Sequence, residues 1–288
     1  MTVENMQKPA ADLTVRFAAG VAMVAVASVA IYLGGWPFRI LVALGAAIML
    51  VEWSDMHRLP RHWAWASAAL VVAFLFGVTE WLFPAGQMDE ILTPDGAGIL
   101  ALAPESFAPV WTGFGIAAAV AMIVGILSRR LVMAWGFFYI AVPAFDLLVL
   151  GWAWYGLVFW AMIVTWATDI GAYFAGRAIG GPKLAPRISP NKTWAGLFGG
   201  IVAAAVAGWL VAGLEIFALG APFLWLGAPM AVLAQAGDLY ESWEKRRAGV
   251  KDSGTLLPGH GGVLDRVDGL LPVAVVTLAV LMAGLWTG

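Results

Sequence analysis

The sequence predicts an all-α, polytopic integral membrane protein, and three observations carry that expectation. Of 288 residues, 62% are hydrophobic and only 12% charged, a balance outside the range of soluble domains and inside the membrane class. The apolar residues fall in runs of about 17–25, long enough to cross a bilayer as helix. The 16 Lys and Arg residues sit between those runs in a strongly one-sided pattern.

The first run, Phe17 to Leu33, follows Lys8 and Arg16, and Ala25-Val26-Ala27 imitates a small-residue cleavage site. It is longer than the roughly 7–15 residues of a signal-peptide core, so a retained first helix is expected. About nine transmembrane helices follow from the hydropathy: 15–34, 38–54, 63–83, 109–128, 131–150, 152–176, 194–213, 217–236 and 269–287. The eighth is expected to continue as an amphipathic helix into the cytosol. Trp36, Trp53, Trp63, Trp81 and Trp111 lie near the ends of apolar runs, where indole rings anchor at the interface. No repeat or disordered linker divides the chain, so residues 1–288 read as one integral domain. Within it, helices 1–5 (1–150) carry no specific motif. Helices 6–9 (151–288) carry the chemistry on cytosolic loops 177–193 and 237–268. The absence of cysteine excludes disulfides and thiolate metal sites.

Cation placement orients the chain. With the N-terminus cytosolic, 15 of the 16 cations fall inside, and Arg39 alone falls outside. Positive charge in short loops marks the cytosolic side. The acidic loop from Pro84 to Pro109 has no cation and is placed outside, and nine crossings leave the C-terminus extracytoplasmic.

Two segments break the apolar pattern. Between Ser242 and Asp268 lie Lys245, Arg246, Arg247, Lys251 and Arg266, with Asp252, Asp265, Asp268, His260 and several glycines. Polar groups beside membrane spans are expensive and mark working sites. Cations for phosphate, carboxylates for a divalent metal and glycines for close backbone approach suit nucleotide chemistry. Asp238, Ser242 and Lys245 share one helix face, and Asp265 and Asp268 share another. Two helices can thus present Asp238 to Asp265 and Asp268, a hard-oxygen set suited to Mg²⁺. A surface ion-pair network is the plainer account of the same residues. Gly259-His260-Gly261-Gly262 reads as a tight turn against phosphate. His260 is not needed as a base, because a phosphate monoester is already largely dianionic at neutral pH.

In the other segment, Asp169, Tyr173, Gly176 and Arg177 share a helix face, Gly180-Gly181-Pro182 ends that helix, and Pro186 and Pro190 keep the connection extended. Ser189-Pro190-Asn191-Lys192-Thr193 leads into the seventh span, where amides at the helix start, with Lys192 and Thr193, suit an anionic phosphate. Gly176/Gly180 and Gly196/Gly200 are spaced for close helix packing.

The run from Ser242 reads Ser-x-x-Lys-Arg, four residues, then Lys-Asp-x-Gly-x-x-Leu-Pro-Gly-His-Gly-Gly-x-x-Asp-Arg-x-Asp. It resembles the signature of the phosphatidate cytidylyltransferases, also called CDP-diacylglycerol synthases. Ser189-Pro190-Asn191-Lys192-Thr193-Trp194 resembles a second run of that family, with Ala195 standing where the family has Glu. The resemblance covers roughly Asp169–Asp268. It implies transfer of the cytidylyl group of CTP to phosphatidate, giving CDP-diacylglycerol and pyrophosphate. Asp238, Asp265 and Asp268 would hold Mg²⁺, with a second cation left open and Asp252 farther out. Lys251 and Arg266 join those three aspartates as catalytic candidates. Arg177, Ser189, Lys192, Thr193, Ser242, Lys245, Arg246, His260 and Gly261 are the substrate-binding candidates. The partners expected are CTP, phosphatidate and membrane lipid, without nucleic acid, and the glycine-rich helix faces suit a homodimer. The location expected is the inner (plasma) membrane, with the active site facing the cytosol. The rival readings are a CTP-dependent enzyme acting on another lipid phosphate and, from a different class, a secondary transporter.

Overall fold

The computed structural model describes residues 20–82, 108–217, 219–254, 256 and 261–283. Helices dominate: α1 (Gly20–Leu33), α2 (Gly35–Met56), α3 (Arg61–Leu82), α4 (Ala108–Ser128), α5 (Leu131–Ala153) and α6 (Tyr155–Ile179). A two-stranded antiparallel ribbon, β1 (Lys183–Ala185) and β2 (Ser189–Thr193), then leads into α7 (Trp194–Ala212). After it come α8 (Gly227–Ala248), the single turn α9 (Leu264–Val267) and α10 (Leu270–Met282). Among the described residues six helices, α2 to α7, are long and apolar enough to cross a membrane, and α1 and α10 are shorter apolar helices.

The stretch expected as the eighth span, 217–236, departs from expectation. Glu215–Phe217 and Ala221–Leu224 are short 3-10 turns, and regular helix begins only at Gly227. Pro222 lies in the first turn of the second, where it lacks the N–H that a continuous α-helix would need from it. From Gly227, α8 runs on through Asp238 to Ala248, as the expected amphipathic continuation requires. The expected acidic loop lies mostly in residues 83–107, outside the described residues. Pro190 lies in the extended strand β2 as expected, but Pro186 sits in the turn where the chain folds back, pairing Lys183 with Thr193 and Ala185 with Ser189.

Contacts define two ends of the bundle. At one, Arg39 of α2 pairs with Glu80 of α3, Trp36 stacks on Phe76, and Tyr155 of α6 donates to the Ile216 carbonyl. At the other, His57 Nε2 lies 3.3 Å from Glu244 Oε2 on α8, and the Trp53 indole donates to the Val132 carbonyl at 3.0 Å. There too, Arg246 Nε reaches the Ile188 carbonyl in the ribbon turn at 3.3 Å.

Trp53 corrects one expectation. It is fully buried, and a Cβ on Gly136 of α5 would come within 2.2 Å of its Nε1, so it is a packing residue and not an interfacial anchor. Trp36, Trp81 and Trp111 are exposed, as anchors must be. The tightest helix contact joins α6 to α7. A Cβ at Gly199 would meet Ala175 Cβ at 2.2 Å, and one at Gly171 would meet the Gly199 carbonyl oxygen at 2.6 Å. Gly176, Gly196 and Gly200 belong to the same contact. Gly180 does not. It faces open space at φ +67°, a left-handed conformation that closes α6 and that glycine adopts without steric cost.

Candidate active site

The site is built at the end of the bundle where α6, the ribbon, α8 and α9 meet. Close approach of α8 to the start of α10 comes first. A Cβ on Gly237 would lie 2.4 Å from the Asp268 carbonyl oxygen, so the glycine lets Asp238 come alongside Asp268. Ser242 Oγ donates to Asp238 Oδ1 at 3.3 Å, one turn along α8, as the shared face predicts. Lys192, from β2, places Nζ 2.5 Å from Asp238 Oδ2, off the line a hydrogen bond needs, so the contact is ionic.

Asp268 accepts the Gly269 N–H at 2.7 Å. Burial, then the charges of Asp238 and Asp169, push its carboxyl well above the usual carboxylate range, against the Gly269 hydrogen bond and Lys192. Asp169, on α6, is therefore part of this acidic cluster. The sequence motifs do not nominate Asp169 for the site. Its signal was available: an aspartate late in an apolar run.

Asp265 lies in a different setting. Its Oδ1 accepts Lys245 Nζ at 2.6 Å, its Oδ2 accepts the Gly262 N–H at 2.8 Å, and the Ser253 N–H points between the two oxygens at 3.2 and 3.0 Å. Burial opposes its charge, but Lys245 and the Gly262 N–H win and hold its pKa below the ordinary value. Lys245 also touches Glu241, a fully buried residue one turn earlier on α8. Burial would lower the Lys245 pKa, yet Glu241 and Asp265 raise it on balance. Burial drives Glu241 up to about 9, with Lys245 opposing. A Cβ on Gly261, at φ +83°, would lie 2.6 Å from Asp265 Oδ2, so only glycine serves there.

The other candidates divide by place. Thr193 caps α7, its Oγ1 accepting the Gly196 N–H at 3.0 Å, which leaves the hydroxyl proton to donate. Ser189 opens β2 at the foot of the ribbon. Arg246 bridges the carbonyls of Ile188 and Val250. Arg177, exposed at the end of α6, donates to the Tyr173 hydroxyl at 2.8 Å. Lys251 and Asp252 are exposed in the bend after α8. His260 lies outside the described residues.

A cavity of about 770 Å³ opens among α1, α2, α5 and α6 and reaches the α9–α10 turn. Its walls are apolar (Met23, Val42, Leu147 and Met162 among them) except where Thr165, Asp169 and Arg266 line it.

Among the described residues, no three acidic or histidine side chains approach closely enough to hold a metal ion as they stand. The donor chemistry nevertheless fits one. Asp169, Asp238 and Asp268 present hard oxygens, burial and then the charges of Asp238 and Asp169 raise the Asp268 pKa, and the Lys192 ammonium lies against Asp238. A divalent cation relieves both strains with the ligand type it prefers.

In a bundle of helices apolar enough to cross a membrane, an apolar cavity thus ends on charged groups, Asp169 and Arg266. The profile of the cytidylyltransferase family matches residues 14–283, and the chain belongs to that family. A phosphatidate cytidylyltransferase of Brucella suis is 42% identical over 255 residues, covering 84% of this chain and 83% of its relative. One from Pseudomonas aeruginosa is 48% identical over 152 residues, covering 51% of this chain and 56% of its own. One from Bacillus subtilis is 50% identical over 125 residues, covering 41% and 45%. The likeness extends well beyond the Asp169–Asp268 stretch that the motifs revealed, and it sets the transporter reading aside.

Proposed function

We propose that this chain transfers the cytidylyl group of CTP to phosphatidate, releasing pyrophosphate and leaving CDP-diacylglycerol. An oxygen of the lipid phosphate attacks the α-phosphorus of CTP, the bond to the β-phosphate oxygen breaks, and pyrophosphate departs in line. Family membership supplies the reaction. The cavity supplies the observation that fits it to this fold: its apolar walls end on Arg266 and Asp169, so the acyl chains occupy the bundle while the phosphate meets the polar cluster.

What the residues must do follows from charge. Two polyanions have to meet, so catalysis here is neutralisation and alignment more than proton transfer. Arg266 takes the lipid phosphate at the cavity mouth. Lys192, now against Asp238, is in reach of a CTP phosphate; Mg²⁺ would be held by Asp238 and Asp268, with Asp169 beside them and Asp265 as the third carboxylate of the motif. The cation supplies Lewis-acid stabilisation of the phosphoryl oxygens. Lys251, exposed beside the loop, is placed to meet CTP from the solvent side. The N-terminus lies in the cytosol and the C-terminus outside, which is supported by the 15 inward cations and by Glu80 pairing with Arg39, the one outward cation. The site then faces the cytosol of the inner membrane.

The deciding assay is pyrophosphate release by purified, detergent-solubilised protein given CTP and phosphatidate together and each alone. Turnover should need both, and diacylglycerol without its phosphate should be inert. Equal turnover with diacylglycerol would indicate a lipid kinase and overturn the reaction. A reporter after Gly288 should be extracytoplasmic and one near Lys183 cytosolic; a cytosolic C-terminus would overturn the orientation.

A further inference from the structure

Glu52 lies in the last turns of α2, within the half of the chain that carries no motif, and it is 6% exposed. Its Oε1 accepts the Val263 N–H at 2.8 Å and its Oε2 the Leu264 N–H at 2.9 Å. The Ser253 hydroxyl donates to Oε2 at 3.4 Å. Residues 211 and 201 positions away along the chain are thereby tied to one carboxylate.

Those contacts fall at a structurally weak place. The turn α9 is four residues long, and Val263, at its N-cap, makes no side-chain cap. The opening N–H groups of a helix have no partner inside it and need one from elsewhere. Glu52 provides that partner for the turn that carries Asp265 and Arg266 and ends at Asp268. Two signature glycines find their reason in the same carboxylate. A Cβ on Gly254 would lie 2.8 Å from Glu52 Oε1, and a Cβ on Gly262 would lie 2.7 Å from it. Glycine at these positions lets the loop backbone close around Glu52, where the sequence alone suggested approach to phosphate.

We infer that Glu52 is a positioning residue: it sets α9 in place and so aims Asp265, Arg266 and Asp268 at the reacting phosphates. This rests on the reaction proposed above. A carboxylate can receive two N–H groups at once. A glutamine cannot, because its amide nitrogen would turn a donor toward one of them. Misplacement of reacting groups by about 1 Å costs on the order of 10²-fold in rate.

The test uses the full chain in detergent, with two readouts. Glu52→Gln should lower kcat on the order of 10²-fold at unchanged KM for CTP and unchanged thermal stability, while amide hydrogen exchange across 261–268 loses protection and exchange across α7 does not. Glu52→Asp, which keeps the charge on a shorter stem, should recover part of kcat. A well-folded Glu52→Gln protein with wild-type kcat would overturn the inference, as would a loss carried entirely by lower stability. If Glu52→Gln does not fold, Gly254→Ala pushes on the carboxylate without removing it. The same kcat and exchange pattern in that variant supports the assignment, and wild-type behaviour overturns it. Failure of wild-type protein to turn over CTP and phosphatidate would count against the reaction, and the exchange experiment would still read whether Glu52 holds the turn.

Discussion

Asp265 and Asp268 stand three residues apart, yet they belong to two differently built regions. Around Asp265 every oxygen is engaged by Lys245 and by the amides of Ser253 and Gly262, and the carboxylate is held charged. Around Asp268 burial acts first and the charges of Asp238 and Asp169 add to it, so the carboxyl is pushed toward its protonated form. In the closed region Asp265 itself is matched donor for acceptor, while the fully buried Glu241 beside Lys245 is pushed up to about 9 by its burial. The open region carries a mismatch that folding alone would not select, and such mismatches gather where ligands bind. On the function proposed above, the difference would separate the part that builds the site from the part that does its chemistry.

The largest effect should come from the open region. Asp268→Asn and Asp238→Asn remove a charge at the cation and reacting phosphates, and loss of one such stabilising group costs on the order of 10²–10³ in rate. Pyrophosphate release should fall by that factor in well-expressed protein, and EDTA should abolish the wild-type rate with recovery in excess Mg²⁺. A near-normal rate in Asp268→Asn would remove the open region from the chemistry.

Asp265→Asn sharpens the comparison. The motif makes Asp265 a third metal carboxylate, and its contacts make it the residue that closes the loop. If it binds the cation, excess Mg²⁺ should restore part of the lost rate, with amide exchange across 250–254 and 261–264 unchanged. If it closes the loop, exchange there should rise and Mg²⁺ should restore nothing. Asp252→Asn, at an exposed bend, should stay near wild type in both.

The contrast also explains what could be read from the sequence. Apolar runs reported the helices, because hydropathy and length are local properties. They failed at 217–236, where Pro222 and the surrounding turns interrupt the helix without interrupting hydrophobicity. The family motifs located Asp238, Asp265, Asp268 and Lys192, but motifs rank residues and do not assign partners. That Lys245 lies against Glu241 and Asp265, or that Thr193 caps α7, depends on how α8, α9 and the ribbon meet. Glu52 was legible only as an acid in an apolar run, since its partners lie some two hundred residues away. Gly254 and Gly262 were visible as glycines, and the reason for them was not.

A structural prediction of intermediate size concerns the glycines that pack instead of binding. Gly199→Ala would force a Cβ to within 2.2 Å of Ala175 Cβ, and overpacking of this kind costs about 1–3 kcal/mol. Thermal unfolding in detergent should shift down, while kcat per folded molecule stays near wild type. A lowered kcat at wild-type stability would mean that the α6–α7 contact serves catalysis directly.

The smallest effect probes the closed region through pH. The Glu241 carboxyl titrates at about 9 in the folded protein against an ordinary 4.5. Between those values the folded state keeps a proton that the unfolded chain has lost, so stability falls as pH rises, by at most about 1.4 kcal/mol per pH unit. Lys245, raised from an ordinary 10.5, contributes above this window, and Asp265, lowered from 3.8, contributes below it. Asp268, also raised, adds a slope of the same sign. Glu241→Gln leaves that slope in place while removing Glu241's share, and Gln fills the same space without a proton to lose. The melting temperatures of Glu241→Gln and wild type, measured at pH 6, 7.5 and 9, should therefore diverge in the variant's favour as pH rises. Parallel lines would show that Glu241 is already ionised at pH 6. Lys245 would then be neutralised twice over, by Glu241 and by Asp265, and the closed region would carry a net negative charge of its own.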